Sequence, residues 1–517
     1  MFLGLALSGA ALVLGFPPFS IPVLPFAALV PLLLFLDGDR LRAEVVIGSA
    51  AFAMPFFVGA IGWLFLLTRI TPAGALGAVG LIAIQLGTFA FFPAALILAR
   101  RIGRVPLVVC APALWVVSEH ARTYGDIDFA WTTLGSSLSG WPSLIQHADL
   151  IGVWGISFWI VLVSALAATA LSSVRSARVR LAAATVLTMA IAGPVAYGAV
   201  RTRALRSGLA GAKSLRVAVV QPNIAQRLKW DPAAKAANIA ALNRVIAEAE
   251  HGAPELVVAP EACLPLIMRS DATRLPEAVA AGACPLVLGV VRGIGELQPV
   301  VEGGVSGYRY EKHWNSAVLA SPERATIDVH DKSILVPITE AIPFRRVLRF
   351  ILPFMTRQFG RFEAGGPQRP IVLELPGRRV RLGLLICFET LHPEEVRALV
   401  NRGADVLVAI TNDAWFGRSN MPWQHLGLSV MRAIETRRSV VRSANTGVSA
   451  LIDPLGRVVS QTSLFEETVL AGEVPLCGVT SVYARLGDLA LWFAYALSAL
   501  ILGWVAIVVV VARSPRF

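Results

Sequence analysis

Seven stretches of this chain run without a single charged side chain: residues 1–36, 45–68, 70–99, 105–118, 150–174, 181–200 and 489–512. A helix satisfies its own backbone hydrogen bonds, and about 20 apolar residues carry it across a bilayer core. Stretches of this kind therefore commit the chain to a membrane. The first is broken at Pro17-Pro18 and reads as two short spans, while 105–118 is short enough to need an extended or tilted helix. The expectation is seven spans before a polar region and one after it. One such stretch alone would read as a buried helix of a soluble core; so many in one chain exclude that reading. Met1-Phe2-Leu3 offers no basic segment ahead of the first apolar run, so a retained span is expected rather than a cleaved leader.

The charges that remain are distributed unevenly. Residues 1–200 carry 17 of the 80 charged side chains and residues 489–517 carry 2, so the 15% average describes neither part of the chain. An ordinary soluble protein carries about 25%. The expected organisation is a helical membrane domain over 1–200, an aqueous domain over 214–476 and a last membrane helix over 489–512. Arginine placement sets the orientation. With the N-terminus inside, Arg40, Arg42, Arg100, Arg101, Arg104, Arg175, Arg178, Arg180, Arg513 and Arg516 are cytoplasmic, against Arg69 and Arg122 outside. This orientation puts the polar domain on the outer face, although Arg201, Arg203 and Arg206 oppose it. Residues 131–147, with Trp131, Gly135, Gly140, Trp141 and Pro142, are too broken for a span and read as a re-entrant or interfacial segment. Glu119, Arg122, Asp126 and Asp128 just before it read either as a solvated connector or as a portal for lipid headgroups.

From Ser214 the pattern changes to short β-rich runs that end in polar residues. Leu215–Val220 leads into Gln221-Pro222-Asn223, and 255–259 into Pro260-Glu261-Ala262-Cys263. Residues 380–386 lead into Cys387-Phe388-Glu389, and 405–410 into Thr411-Asn412-Asp413. Helical stretches at 233–251, 392–402 and 423–438 alternate with them, which predicts an α/β domain with its site at strand ends. A Gly-x-Ser-x-Gly elbow, a P-loop and His-Glu-x-x-His are all missing from the sequence, and seven scattered histidines predict no metal site. Five cysteines at irregular spacing leave at least one thiol free, with Cys110 inside a span. Cys387 is the candidate nucleophile, although a cysteine after a buried strand is more often core packing. Its thiol needs a base or a cation nearby. Glu261 and Lys332, at two other strand ends, supply these.

These residues and their flanks resemble the nitrilase superfamily and its Glu-Lys-Cys triad, and within it the apolipoprotein N-acyltransferase family. The marks are Val220–Ile224 with Lys229-Trp230-Asp231, Pro260-Glu261, Asp331-Lys332 and Cys387-Phe388-Glu389. Asn412–Gly417, Gln424-His425 with Arg432–Glu435, and Asn445-Thr446-Gly447 complete them. The resemblance implies about eight spans and an αββα sandwich domain facing outward, in a bacterial inner membrane with the catalytic domain in the periplasm. It implies acyl transfer from a membrane phospholipid, typically phosphatidylethanolamine, through a Cys387 thioester to the α-amine of diacylglyceryl-cysteine on an apolipoprotein. Glu261 would be the general base, and Lys332 would stabilise the oxyanion together with a backbone N–H near Cys387; one such donor is worth about 3–4 kcal/mol.

Trp230, Glu340 and Glu389 are further functional positions by match to the family motif. Glu340 is expected in a mobile loop over the site. Glu389 either positions Lys332 or Glu261 or is a surface or N-cap carboxylate, and Trp230 either contacts acyl chains or is an interfacial aromatic. Asn412, Trp415 and His425 line the pocket or pack helices. Phe388 stands where the family has tyrosine, and Ala262, Ile338-Thr339 and Phe129-Ala130-Trp131 are other departures. No cofactor and no nucleic-acid partner are expected, and the chain is expected to be a monomer. The competing readings are a membrane-tethered amidase or nitrilase, an acyltransferase with another amine acceptor, and a non-enzymatic assembly or transport protein.

Overall fold

The computed structural model describes residues 1–69, 73–125, 128–294, 298–302, 305–309, 312–324, 326–337, 339–341 and 362–513. Asp126, Ile338 and Arg516 lie outside the described residues. The chain divides into two compact units, Met1–Arg206 together with Ser481–Phe517, and Ser207–Thr480.

The first unit is helical among the described residues. Five of its helices are long and apolar enough to cross a membrane: Arg42–Arg69, Gly74–Arg101, Ala148–Leu171, Ala177–Leu209 and Leu489–Arg513. Phe2–Val13, Leu24–Asp37 and Leu107–His120 are apolar but shorter. Many large apolar side chains point outward, among them Leu181, Met189, Trp492, Phe493, Leu500 and Trp504. Contiguous apolar surface of this kind is unfavourable in water and natural in lipid.

Polar groups inside this unit hold the irregular segment. Residues 131–147 form short 3-10 turns, Leu134–Gly140 and Pro142–Leu144, the first of them largely buried. Glu119 accepts a hydrogen bond from the Leu134 N–H at 2.7 Å, and Arg122 donates to Thr132 Oγ1 at 2.7 Å and to Gln85 Oε1 at 3.1 Å. Both charged side chains are buried, so neither belongs to a solvated connector. Arg201, which counted against the arginine pattern, is ion-paired to the buried Asp149 at 2.7 Å.

The second unit is a pair of sheets with helices outside both. One sheet runs β15 (Thr468–Pro475), β1 (Ser214–Gln221), β2 (Leu256–Val258), β4 (Leu286–Ile294), β7 (Lys312–Ala320) and β8 (Ile327–Asp331), with β3 (Ile267–Arg269) beside β4. The other runs β14 (Val458–Gln461), β13 (Ala450–Ile452), β12 (Val440–Ala444), β11 (Val406–Thr411), β10 (Arg378–Ile386) and β9 (Ile371–Leu375). A separate hairpin joins β5 (Gln298–Glu302) and β6 (Val305–Arg309). Side chains alternate along each strand, and both faces are buried. Val217, Val219 and Val258 pack with Leu382, Leu384, Val408 and Ile410 between the sheets. Ala218, Val220 and Val257 point the other way, against Leu242, Val245 and Ile246 of the helix Lys235–Glu250. The helices Pro393–Asn401 and Met421–Thr436 pack on the second sheet. The result is the expected αββα sandwich.

Candidate active site

Parallel pairing of β1 with β2, β2 with β4, β10 with β11 and β11 with β12 brings several strand C-terminal ends to the same edge of their sheets. Glu261 follows β2 by a tight turn in which Ala262 has φ 43°. The turn fits because residue 289 on β4 is glycine: a Cβ there would lie 2.4 Å from the Pro260 carbonyl and 2.5 Å from Glu261 Cα. Lys332 follows β8, its N–H bonded to the Asn315 carbonyl at 2.8 Å. Cys387 follows β10 with φ 51°, a left-handed conformation that costs a non-glycine residue about 1–3 kcal/mol and that clusters at functional sites.

Glu261 and Lys332 meet in the interior. Glu261 Oε1 accepts from Asn315 Nδ2 at 2.7 Å and stands 3.6 Å from Lys332 Nζ; Oε2 accepts from the Asn412 N–H at 2.8 Å. Lys332, 1% exposed, is 2.8 Å from Glu340 Oε2, and Asn315 Nδ2 also reaches Glu340 Oε1 at 2.9 Å. Burial disfavours the Lys332 charge, but the carboxylates of Glu340 and Glu261 outweigh it and hold the ammonium well above its ordinary range. Burial, then the Glu261 carboxylate, push the Cys387 thiol far up, with Lys332 pulling the other way. At rest Cys387, the candidate nucleophile, is therefore a thiol near the Glu261 carboxylate, and a thiolate would form there only as its proton leaves.

Two buried carboxylates brace the Cys387 turn. Glu389 is fully buried, accepting from the Ile386 N–H and the Ser333 N–H at 2.7 Å each, and facing His330 Nε2 at 3.1 Å. Burial alone would raise its pKa; His330 and the two backbone donors bring it down to about 2. It is neither a surface group nor a direct partner of Lys332 or Glu261. It ties the turn that carries Cys387 to the residue after Lys332. Asp413, also held at about 2 despite burial, faces Arg442 at 2.9 Å and His425 Nδ1 at 3.0 Å. The other ring nitrogen of His425 faces the Cys387 carbonyl at 3.2 Å. Burial and the Arg442 charge lower the His425 pKa.

The remaining expected residues divide by exposure. Asn412 is buried and contributes its backbone to Glu261, while its Nδ2 donates to Gln226 Oε1 at 2.8 Å. His425 is fully buried, its ring held between Asp413 and the Cys387 carbonyl. Phe388 is buried edge-on against His392, with ring centroids 5.3 Å apart, in the packing under the turn. Trp230 and Trp415 are 45% and 39% exposed. Glu340 is partly exposed and in direct contact with Lys332. Asn315, Asp413, Arg442, His330 and Lys229 were assigned no role from sequence. All five cysteines are free. Among the described residues no cluster of histidine, cysteine and carboxylate could hold a metal ion.

The carbon-nitrogen hydrolase family model matches residues 216–484, and the apolipoprotein N-acyltransferase N-terminal domain matches residues 8–166. An apolipoprotein N-acyltransferase of Geobacter metallireducens is 34% identical over 97% of this chain and 94% of its own length. The chain belongs to the apolipoprotein N-acyltransferase family. Family members of the same name from Azotobacter vinelandii (32% identical, 96% of this chain and 93% of theirs) and Chlorobaculum tepidum (28%, 93% and 92%) also align along nearly the full length. The sandwich is the nitrilase-like, carbon-nitrogen hydrolase part of this family. The N-terminal helices, several of them apolar, are compatible with its membrane domain.

Proposed function

We propose that this membrane protein is an acyltransferase of lipoprotein maturation that works from a bacterial inner membrane with its sandwich domain in the periplasm. The donor is a membrane phospholipid, with phosphatidylethanolamine the expected headgroup, and the acceptor is the α-amine of a diacylglyceryl-cysteine. The observation that carries the reading is the full-length similarity to named apolipoprotein N-acyltransferases, which extends through both the apolar helices and the sandwich. A soluble-amide hydrolase would have no use for the helices.

In the first half-reaction Glu261 takes the Cys387 proton as sulfur attacks the ester carbonyl. Lys332 faces the oxygen that gains charge in the tetrahedral intermediate. Collapse breaks the C–O bond, the departing alkoxide takes the proton from Glu261, and a lysophospholipid leaves a thioester on Cys387. In the second half-reaction the acceptor amine attacks the thioester, Glu261 removes the amine proton, and the C–S bond breaks. The proton returns to sulfur, and the product is an amide. A thioester holds the acyl group at higher energy than an amide, so this step runs downhill.

Intact-mass analysis after incubation with phospholipid tests the donor half. An acyl adduct on the wild type that is missing from Cys387→Ala supports it, and an unmodified wild type refutes it. Depletion of the protein in cells tests the acceptor half: lipoproteins that keep their N-acyl chains would sink it.

A further inference from the structure

Lys229 is a buried lysine beside this site that the catalytic scheme leaves without a task. It is 2% exposed. Its Nζ donates to the backbone carbonyl of Glu261 at 3.1 Å, and among the described residues it makes no ion pair. An ammonium has three donors, and burying one without a carboxylate partner is costly unless nearby charge offsets it. Burial lowers its pKa, and the charges that act against that are those of Glu261, Cys263 and Cys387.

The loop that carries Lys229 is fixed from three sides. Asn445 brackets Ile224, accepting from its N–H at 3.0 Å and donating to its carbonyl at 2.8 Å. Asn412 holds Gln226 at 2.8 Å, and Asn238 Nδ2 donates to the Leu228 carbonyl at 2.7 Å. These contacts hold the backbone that leads into Lys229, and Asn412, which holds Gln226, also gives its N–H to Glu261 at 2.8 Å. The other charges around Cys387 are already matched: Lys332 by Glu340, and Asp413 by Arg442 and His425.

We propose that Lys229 is a positioning charge for the Glu261–Cys387 pair, offsetting the extra negative charge the site carries when Cys387 becomes a thiolate and so letting the thiolate form at lower pH. The inference rests on Cys387 as the nucleophile and needs no assumption about lipid donor or acceptor. It also gives the Lys-Trp pair at 229–230 two separate tasks, one buried and electrostatic, the other exposed.

The test is alkylation of the full-length protein in detergent micelles by iodoacetamide, followed by intact mass against pH, with Cys387→Ala as background. Lys229→Gln keeps an N–H donor for the Glu261 carbonyl but loses the charge; Lys229→Met loses both. The expected result is that both variants move the log-rate profile about one unit to higher pH. This equals about tenfold slower alkylation at a given pH on its rising limb. A wild-type profile in Lys229→Gln overturns the proposal, whether or not Lys229→Met differs. So does a Lys229→Gln protein that no longer unfolds cooperatively, because the role would then be structural. A shifted profile in a protein that takes no acyl group from phospholipid would uphold this inference and refute the acyl-transfer reading.

Discussion

Lys332 makes its shortest ion pair with Glu340, at 2.8 Å, and stands 3.6 Å from Glu261. The ammonium is thus anchored by one carboxylate while the other keeps a looser contact and its freedom to take a proton. Glu340→Gln should free Lys332 to close on Glu261, blunting the base and misplacing the oxyanion donor. We expect thioester formation to slow about 10- to 100-fold, about 1–3 kcal/mol in the barrier. Lys332→Met, which deletes the donor itself, should cost about 100- to 1,000-fold. Single-turnover accumulation of the acyl-enzyme measures both. Equal rates in Glu340→Gln and wild type would remove Glu340 from the site.

Glu389 links acid stability to the geometry of the Cys387 turn. Its pKa falls from an ordinary 4.5 to about 2 on folding. A depressed carboxylate contributes its stability fully above the unfolded value and loses it as pH falls through the folded one. The window is therefore about pH 4.5 down to 2, and the linked stability is about 3 kcal/mol. Glu389→Gln should lower the midpoint of denaturant unfolding at pH 7 and flatten its dependence on pH across that window, since the group that titrates is gone. Unfolding curves at pH 7 and at several pH values between 4.5 and 2 measure this. Asp413, also near 2, titrates over a similar range and should leave part of the slope in place.

How much of this was legible beforehand depends on whether a residue announces itself along the chain. Glu261 and Cys387 each follow an apolar run that ends in polar residues, a local pattern, and the sandwich follows from the same runs; Lys332 follows the alternating strand Ile327–Asp331. Asn315 gives no such signal. It sits within β7, and its role comes from sheet pairing that lays it beside the start of the Lys332 segment and both glutamates. Glu389 reads from sequence either as a positioning group or as a surface or N-cap carboxylate; it does cap, accepting from the Ile386 N–H, but sequence cannot tell that Ser333, 56 residues away, supplies its second backbone donor. The short helices at 2–13 and 107–120 were legible as short, from the break at Pro17-Pro18 and from the length of 105–118, but an uncharged stretch does not show the residue at which a helix ends.

Gly289 should be intolerant of a side chain. A methyl group there meets backbone on the Glu261 turn at 2.4–2.5 Å, and backbone cannot swing aside as a flexible side chain can. Gly289→Ala is expected to cost about 1–3 kcal/mol of stability and to displace Glu261, with a larger loss in thioester formation than in folding. Thermal unfolding and single-turnover rates on the same preparation separate the two. Unchanged rates would mean that Glu261 tolerates displacement.

Cys263 lies two residues beyond Glu261 and is a second thiol close to the site in sequence. Its side chain is buried in the layer under the helix Lys235–Glu250, and burial raises its pKa to about 12. Cys263→Ala should leave the acyl adduct and the alkylation profile of Cys387 intact, at a cost of about 1 kcal/mol in stability for the lost sulfur. Loss of the adduct in that variant, with Cys387 present and the protein folded, would reassign the nucleophile.

Trp230 is the residue whose exposure asks for an explanation. A tryptophan packed for stability is buried; this one leaves 45% of its surface open beside a loop that is otherwise fastened to the site. The Trp230→Ala variant should therefore fold with little loss, within about 0.5 kcal/mol, because little buried area is removed. If the indole covers acyl chain in the bound complex, its loss uncovers apolar surface worth about 1–2 kcal/mol, so KM for a long-chain phospholipid should rise about tenfold. Trp230→Phe keeps most of that area and should recover most of the affinity. A short-chain donor, too short to reach the indole, provides the internal control. Equal losses on short- and long-chain donors would show that Trp230 acts through the loop and Lys229 instead of through contact with the acyl chain.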